Sequence, residues 1–234
     1  MQLKTKWFLI LSILVFPSAV YLIFLQGEAN FDKPLEYVGP KTDTTFYSIP
    51  EFAFLNQYGD TISSADYNGN VYVANFVFTT CPTICPVMTY QMSRIQQKMK
   101  NYPHFKLLSH TVNPEYDSPQ VLLEYANEMQ VDTSLNNWNF ATGTKESIYA
   151  MAPAYFVNAF EDQEAPGGFL HSEYFVLIDK DGHVRSRKDD KGNVMGVYDG
   201  TSEYEVGLLI DDIKFLMYDH WYSCLLYTSD AADE

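Results

Sequence analysis

The stretch Val71-Tyr-Val-Ala-Asn-Phe-Val-Phe78-Thr-Thr-Cys81-Pro-Thr-Ile-Cys85-Pro86 decides the fold. Residues 71–78 are a near-continuous apolar run rich in β-formers, as expected of a strand buried on both faces. Thr79 to Cys85 reads as a loop. A helix then runs from Pro86 to about Lys100, with Met88, Met92, Ile95 and Met99 on one face. Proline fits the first helical position, and the residue before a proline avoids the α region, which makes Cys85 the N-cap. A thiol there faces the positive end of the helix dipole, so its pKa is expected to fall. The effect would be large. At pH 7 a thiol of pKa ~8.5 is about 3 % thiolate, and one lowered to ~6.5 is about 75 %.

Outward from this junction the pattern repeats. Phe52–Leu55 and Gln57–Asp60 suggest a short hairpin. Phe105 to Val112 is a second strand. Ser118-Pro119 forms an N-cap and first-position pair for a helix reaching about Gln130. Trp138 to Ala141 is a third strand, followed by a helix after Gly143. A long loop over about Asn158 to Leu170 leads to the strand Tyr174–Ile178. Asp179-Lys-Asp-Gly182 turns that strand into Val184–Arg187. Ser202-x-x-Glu205 is a capping box for a last helix over 202–222, whose apolar face is Val206, Leu209, Ile210, Ile213, Leu216 and Met217. Strand–helix units followed by a hairpin and a terminal helix predict an α/β protein: a thioredoxin-like fold, a mixed central sheet flanked by helices.

The chain has 234 residues and a net charge of -15. That excess of acid argues against nucleic-acid binding, which needs a basic footprint, and suits cationic partners, including metal ions. Residues 1–6 carry Lys4 and Lys6, and residues 7–25 carry no charge. A helix over that span is about 28 Å long, roughly a hydrocarbon core, and is read as a transmembrane anchor rather than a cleaved signal peptide. The flanking lysines put the n-region in the cytoplasm and the rest of the chain outside it. Residues 26–45 read as a tether and 46–222 as the domain. Residues 223–234 lack period or cap and read as a non-native tail. Of the three cysteines, Cys81, Cys85 and Cys224, the last then drops out.

Cys81 and Cys85 are three intervening residues apart, a wider loop than the Cys-x-x-Cys of thioredoxin-type oxidoreductases. Both sit in a Thr/Pro-rich junction rather than on an apolar face, which disfavours reading them as ordinary core cysteines. The two sulfurs could form a redox-active disulfide or share a metal. Two thiolates plus one imidazole suit Cu(I), with Zn(II) an option if a fourth ligand exists. The histidine candidates are His104, His110, His171, His183 and His220. His110 lies inside a strand, where a satisfied or half-exposed histidine is the common case. His171 ends the long Gly-Gly loop just before a buried strand, a good place for a mobile ligand; a bland surface histidine is the competing explanation there.

Phe78-Thr-Thr-Cys81-Pro-Thr-Ile-Cys85-Pro, Val112-Asn-Pro-Glu-Tyr-Asp117-Ser-Pro119, Trp138-Asn-Phe-Ala-Thr-Gly143 and His171-Ser-Glu-Tyr-Phe closely resemble the Sco/SenC family over about residues 44–218. The resemblance implies a thioredoxin-like domain tethered to the membrane and facing the periplasm, or the mitochondrial intermembrane space of a eukaryote. It implies copper, as Cu(I) and also Cu(II), held by Cys81, Cys85 and His171. The implied task is delivery of copper to, or reduction of the cysteines of, the binuclear copper site of cytochrome c oxidase. The implied partners are that oxidase subunit and a copper donor protein or thiol reductase. This describes a carrier rather than a turnover enzyme; a thiol–disulfide oxidoreductase is the alternative. One departure stands out: Asn113 occupies the position where the family usually has aspartate. Asp117 matches the second acid of that motif, as an outer-shell or docking group, although an acid near a helix N-cap accounts for it equally well.

Overall fold

The computed structural model describes residues 15–21, 35–42, 45–161 and 169–230; the side chains of 160, 161, 170, 171 and 219–230 are outside that set. Two units divide the chain, Met1–Pro34 and Leu35–Glu234. In the first, residues 15–21 are helical. The rest of the anchor expected over 7–25 lies outside the described residues, as does the n-region 1–6. Among the described residues no helix is long and apolar enough to cross a membrane.

The second unit runs β1 (Glu36–Tyr37), β2 (Ala53–Leu55), β3 (Thr61–Ser63), β4 (Val71–Val77), α1 (Ile84–Met99), β5 (Phe105–Thr111), α2 (Pro119–Glu128), β6 (Trp138–Ala141), α3 (Lys145–Ala154), β7 (Ala159–Glu161), β8 (Phe169–His171), β9 (Tyr174–Ile178), β10 (Val184–Ser186), β11 (Tyr198–Asp199) and α4 (Glu203–Asp230). The main sheet has the order β1-β10-β9-β4-β5-β6, with β11 also on β9. β4 is parallel to β5 and β5 to β6, while β9 is antiparallel to β4. This is the mixed sheet of a thioredoxin-like fold, as expected. β4 is buried at all seven positions, which is why its sequence shows no alternation. Met88, Met92, Ile95 and Met99 of α1 are fully buried against the sheet, each contributing roughly 1.5–3 kcal/mol through lost apolar exposure.

Three differences from the sequence reading have plain causes. Glu36–Tyr37, assigned to the tether, pairs with β10 and buries Leu35; two residues are too short a strand to show a period. The loop over 158–170 contains the β7–β8 hairpin, in which Ala159 faces His171 across the ladder. α4 stays helical to Asp230 instead of ending at 222. Its capping box is half-formed: the Glu205 amide donates to Ser202 Oγ at 3.4 Å, but the Glu205 carboxylate accepts from the Asp199 amide at 2.7 Å.

Candidate metal centre

β4 delivers the chain to Phe78 at the C-terminal end of the parallel strands, where ligand sites of open α/β sheets form. The Cys81 amide donates to the Phe78 carbonyl at 3.2 Å, and this turn folds the cysteine back against the strand end. Cys81 Sγ lies 3.7 Å from Thr83 Oγ1. α1 starts at Ile84 with Thr83 as N-cap, so Cys85 is its second residue and Pro86 its third. The expected register was late by two residues. Proline is tolerated anywhere in the first turn, where amides lack intrahelical acceptors, and the pre-proline restriction on Cys85 is a bias that the helix overrides.

Cys81 and Cys85 are both buried and form no disulfide. The Cys85 thiol is hydrogen-bonded to Cys81, so the two sulfurs are in contact. That bond and burial push the Cys85 thiol well above its ordinary value, helped by the charges of Cys81 and Asp117; a main-chain hydrogen bond from Phe78 opposes them. The expected lowering by the helix dipole is therefore overturned. A partial charge at the helix end is outweighed by desolvation and by a neighbouring sulfur that holds the proton. The pair is poised as a dithiol sharing one hydrogen bond.

Asp117 is fully buried beneath this loop. It accepts from the Thr79 amide at 3.2 Å, from the Thr79 hydroxyl at 2.5 Å and from the Thr111 hydroxyl. Burial raises its pKa, while those three bonds pull it back. Asn113 builds the turn that puts Asp117 there. Its carbonyl accepts from the amides of Tyr116 at 3.1 Å and Asp117 at 2.9 Å, and its amide donates to Thr111 Oγ1 at 3.0 Å. Its contribution runs through the backbone, which asparagine supplies as well as aspartate. Asp117→Asn is expected to remove a negative charge near the thiols and let Cys85 ionise at lower pH, measurable by ultraviolet thiolate absorbance; an unchanged titration would show that Asp117 serves packing alone.

Sequence reasoning missed Thr89 and Tyr125. Both are buried, and their hydroxyls are 2.8 Å apart. Thr89 lies one turn after Cys85, a spacing that could have flagged it. The Tyr125 phenol is pushed up by burial, and it feels the charges of Cys85, Cys81 and Asp117, which places it beside the dithiol.

The five histidines separate. The His183 ring contacts the Tyr47 carbonyl at 2.8 Å. His110 is fully buried on β5 with neither ring nitrogen hydrogen-bonded among the described residues, against the expectation of a satisfied or half-exposed group. The side chains of His171 and His220 lie outside the described residues, and His104 precedes β5. His171 is placed by its backbone at the end of β8. Phe169, two positions earlier in that strand, packs its ring 5.2 Å from that of Phe78, and the Ser172 amide donates to the Asn158 carbonyl at 3.0 Å. β8 thus lies against the residue that begins the cysteine loop. Among the described residues no three His, Cys, Asp or Glu side chains converge as a metal cage; the two sulfurs in contact are the donor set on view. Soft sulfur donors that close to each other fit a cuprous ion.

Comparison with known proteins gives one family. The SCO1/SenC family model matches residues 40–204. The SCO1 protein homolog of Bacillus subtilis is 33% identical over 174 residues, 74% of this chain and 84% of that protein. BsSco, described as a member of the Sco family of cytochrome c oxidase assembly proteins with a disulfide switch, superimposes with a TM-score of 0.61 at 29% identity, covering 76% of this chain and 98% of that one. The copper-bound ScoI of Bradyrhizobium japonicum shares the fold with a TM-score of 0.55 at 20% identity over 71% of this chain and 98% of that one.

Proposed function

The chain belongs to the SCO1/SenC family, and from that premise we propose that it is a membrane-anchored copper carrier that loads, or prepares the cysteines of, the binuclear copper site of cytochrome c oxidase. Copper is its cargo, held by Cys81, Cys85 and His171. The observation that carries this reading is the contact between the two thiols, with the strand bearing His171 packed against Phe78 beside them. Soft sulfur donors and an imidazole favour copper over harder cations. Binding needs both thiols deprotonated, so loading releases protons from the pair. The anchor over 7–25 and the lysines before it support a domain on the far side of the membrane, in a periplasm or an equivalent compartment.

Anaerobic Cu(I) titration of the reduced chain is expected to show one copper per molecule, with retention lost in Cys81→Ser, Cys85→Ser or His171→Ala. Undiminished binding in all three variants would overturn the assignment.

A second reading is favoured by the raised pKa of the Cys85 thiol and its hydrogen bond to Cys81. A buried, high-pKa thiol bonded to its neighbour resembles the resolving half of a dithiol that reduces partner disulfides. His171 is dispensable for that chemistry. If His171→Ala retains full activity in oxidase assembly, electron delivery is the principal task; if it fails while Cys81 and Cys85 still cycle, copper delivery is.

A further inference from the structure

We infer that the acidic, tyrosine-lined surface around the dithiol is a docking face for a partner polypeptide that carries Lys and Arg around its own cysteines. This rests on the preceding reading only in requiring that the dithiol meet a partner. The first observation is charge segregation. Segments 79–93, 113–130, 172–179 and 199–213, each of which begins at the sheet end that bears the thiols, contain no Lys or Arg. The next cation along α1, Arg94, is held by Glu203 at 3.3 Å. Lys98 and Lys100 lie at the opposite end of α1, Lys106 at the start of β5, and Lys180 in the turn that receives the Gly69 amide before β4. These mark the end of the sheet remote from the cysteines. Lys145 follows β6 on the near side, but it sits over the Tyr149 ring at 5.8 Å. Arg187 and Lys188 are engaged by Asp212 and Glu36. Those segments meanwhile supply Glu115, Glu173 and Asp199.

The second observation is exposed aromatic surface on the same segments. Tyr90 is 59% exposed and Val87 43%, one turn apart on α1; Tyr116 is 56% and Tyr204 74% exposed. They connect. Arg94, one turn beyond Tyr90, bonds Glu203 beside Tyr204. Tyr174 pairs with Asp199, and the Gly200 amide donates to the Glu173 carbonyl at 2.8 Å. Gly200 permits that approach, since a Cβ there would lie 2.6 Å from the Phe175 ring. On the other flank, Asp117 ties the Glu115–Tyr116 turn to Thr79 of the cysteine loop. Tyrosine supplies large contact area at low entropic cost and is enriched at binding surfaces. A polypeptide with basic groups answers both features. An anionic lipid surface or a nucleic acid would be repelled by the same acids.

Two disulfide peptides of identical Cys-x-x-x-Cys core, one flanked by lysines and one by glutamates, test this with the reduced full chain. In the exchange, Cys81 and Cys85 become a disulfide and give two electrons and two protons to the peptide disulfide, which becomes two thiols. The lysine peptide is expected to react about tenfold or more faster at low salt, the advantage collapsing near 1 M salt. Glu115→Gln with Glu173→Gln should erode the preference, and Tyr90→Ala with Tyr204→Ala should slow the lysine peptide. Equal rates for the two peptides, no reaction with either, or a preference untouched by both double variants would overturn the inference. Cu(I) stoichiometry of the same chains reports separately on the copper reading: its failure beside an intact charge preference removes the cargo and leaves the docking face.

Discussion

Asp212→Ala is expected to cost about 3 kcal/mol of unfolding free energy, because it leaves a half-buried guanidinium and a buried phenol without their shared acceptor. Asp212 is almost fully buried on α4. Its carboxylate takes a two-pronged bond from Arg187, Nε at 2.8 Å and Nη2 at 2.6 Å, and a third from the Tyr198 hydroxyl at 2.6 Å. Arg187 also donates to the Leu208 carbonyl at 3.1 Å. The carboxylate holds the guanidinium above its ordinary pKa, and burial beside the same charge pushes the phenol up. This cluster fastens α4 to the chain between β10 and β11. Urea unfolding should place Asp212→Asn between wild type and Asp212→Ala, because the amide keeps an acceptor. The Arg187→Ala, Asp212→Ala double variant should cost less than the sum of its parts. A loss under about 1 kcal/mol for Asp212→Ala would show that the cluster contributes little beyond packing.

The second large effect is acid lability centred on His110. Its ring stacks on Phe76 at 5.0 Å and is enclosed by Phe54 at 5.3 Å, Tyr155 at 5.5 Å and Phe52 at 6.2 Å. Tyr155 is the titratable group among these contacts; its hydroxyl is 3.4 Å from that of Tyr72, and burial keeps both phenols neutral. With no anion beside it among the described residues, desolvation lowers the His110 pKa to about 3. An unfolded histidine takes up a proton near 6.5, which the native one refuses. The unfolded state therefore binds more protons, and stability falls as pH drops from about 6.5 to about 3, by roughly 4 kcal/mol in all. His110→Leu should flatten that part of the stability–pH profile and raise stability below pH 6. A variant whose profile parallels wild type would place the acid sensitivity elsewhere.

Much of the fold was legible because its signals are local. The unbroken apolar run of β4, the methionine spacing of α1 and the Ser118-Pro119 start of α2 each report burial or capping within a few residues. The cysteine pair was legible for the same reason, as was Asp117 from its place in the Asn-Pro-Glu-Tyr-Asp motif. What escaped depends on contacts distant in the chain. Cys85 rises in pKa because a sulfur four residues away and a buried acid 32 positions downstream surround it, and no helix-end rule contains either. Tyr125 belongs to the site only because α2 packs on α1. His110 looks like an ordinary strand histidine until Phe52 and Phe54 of the β2 hairpin close over it. The short strands β1, β7, β8 and β11 span two or three residues, below the length at which alternation can be read.

The β7–β8 hairpin is a sheet of its own, separate from the main one. A two-stranded ribbon is marginal in isolation and opens at far lower free energy than core strands. On the proposed ligand set, the sulfurs are anchored in the core and His171 stands at the end of this ribbon. The residence time of the cargo would then be set by ribbon opening rather than by unfolding: one donor can leave, a recipient's thiol can enter, and the ion changes hands without ever being bare in water.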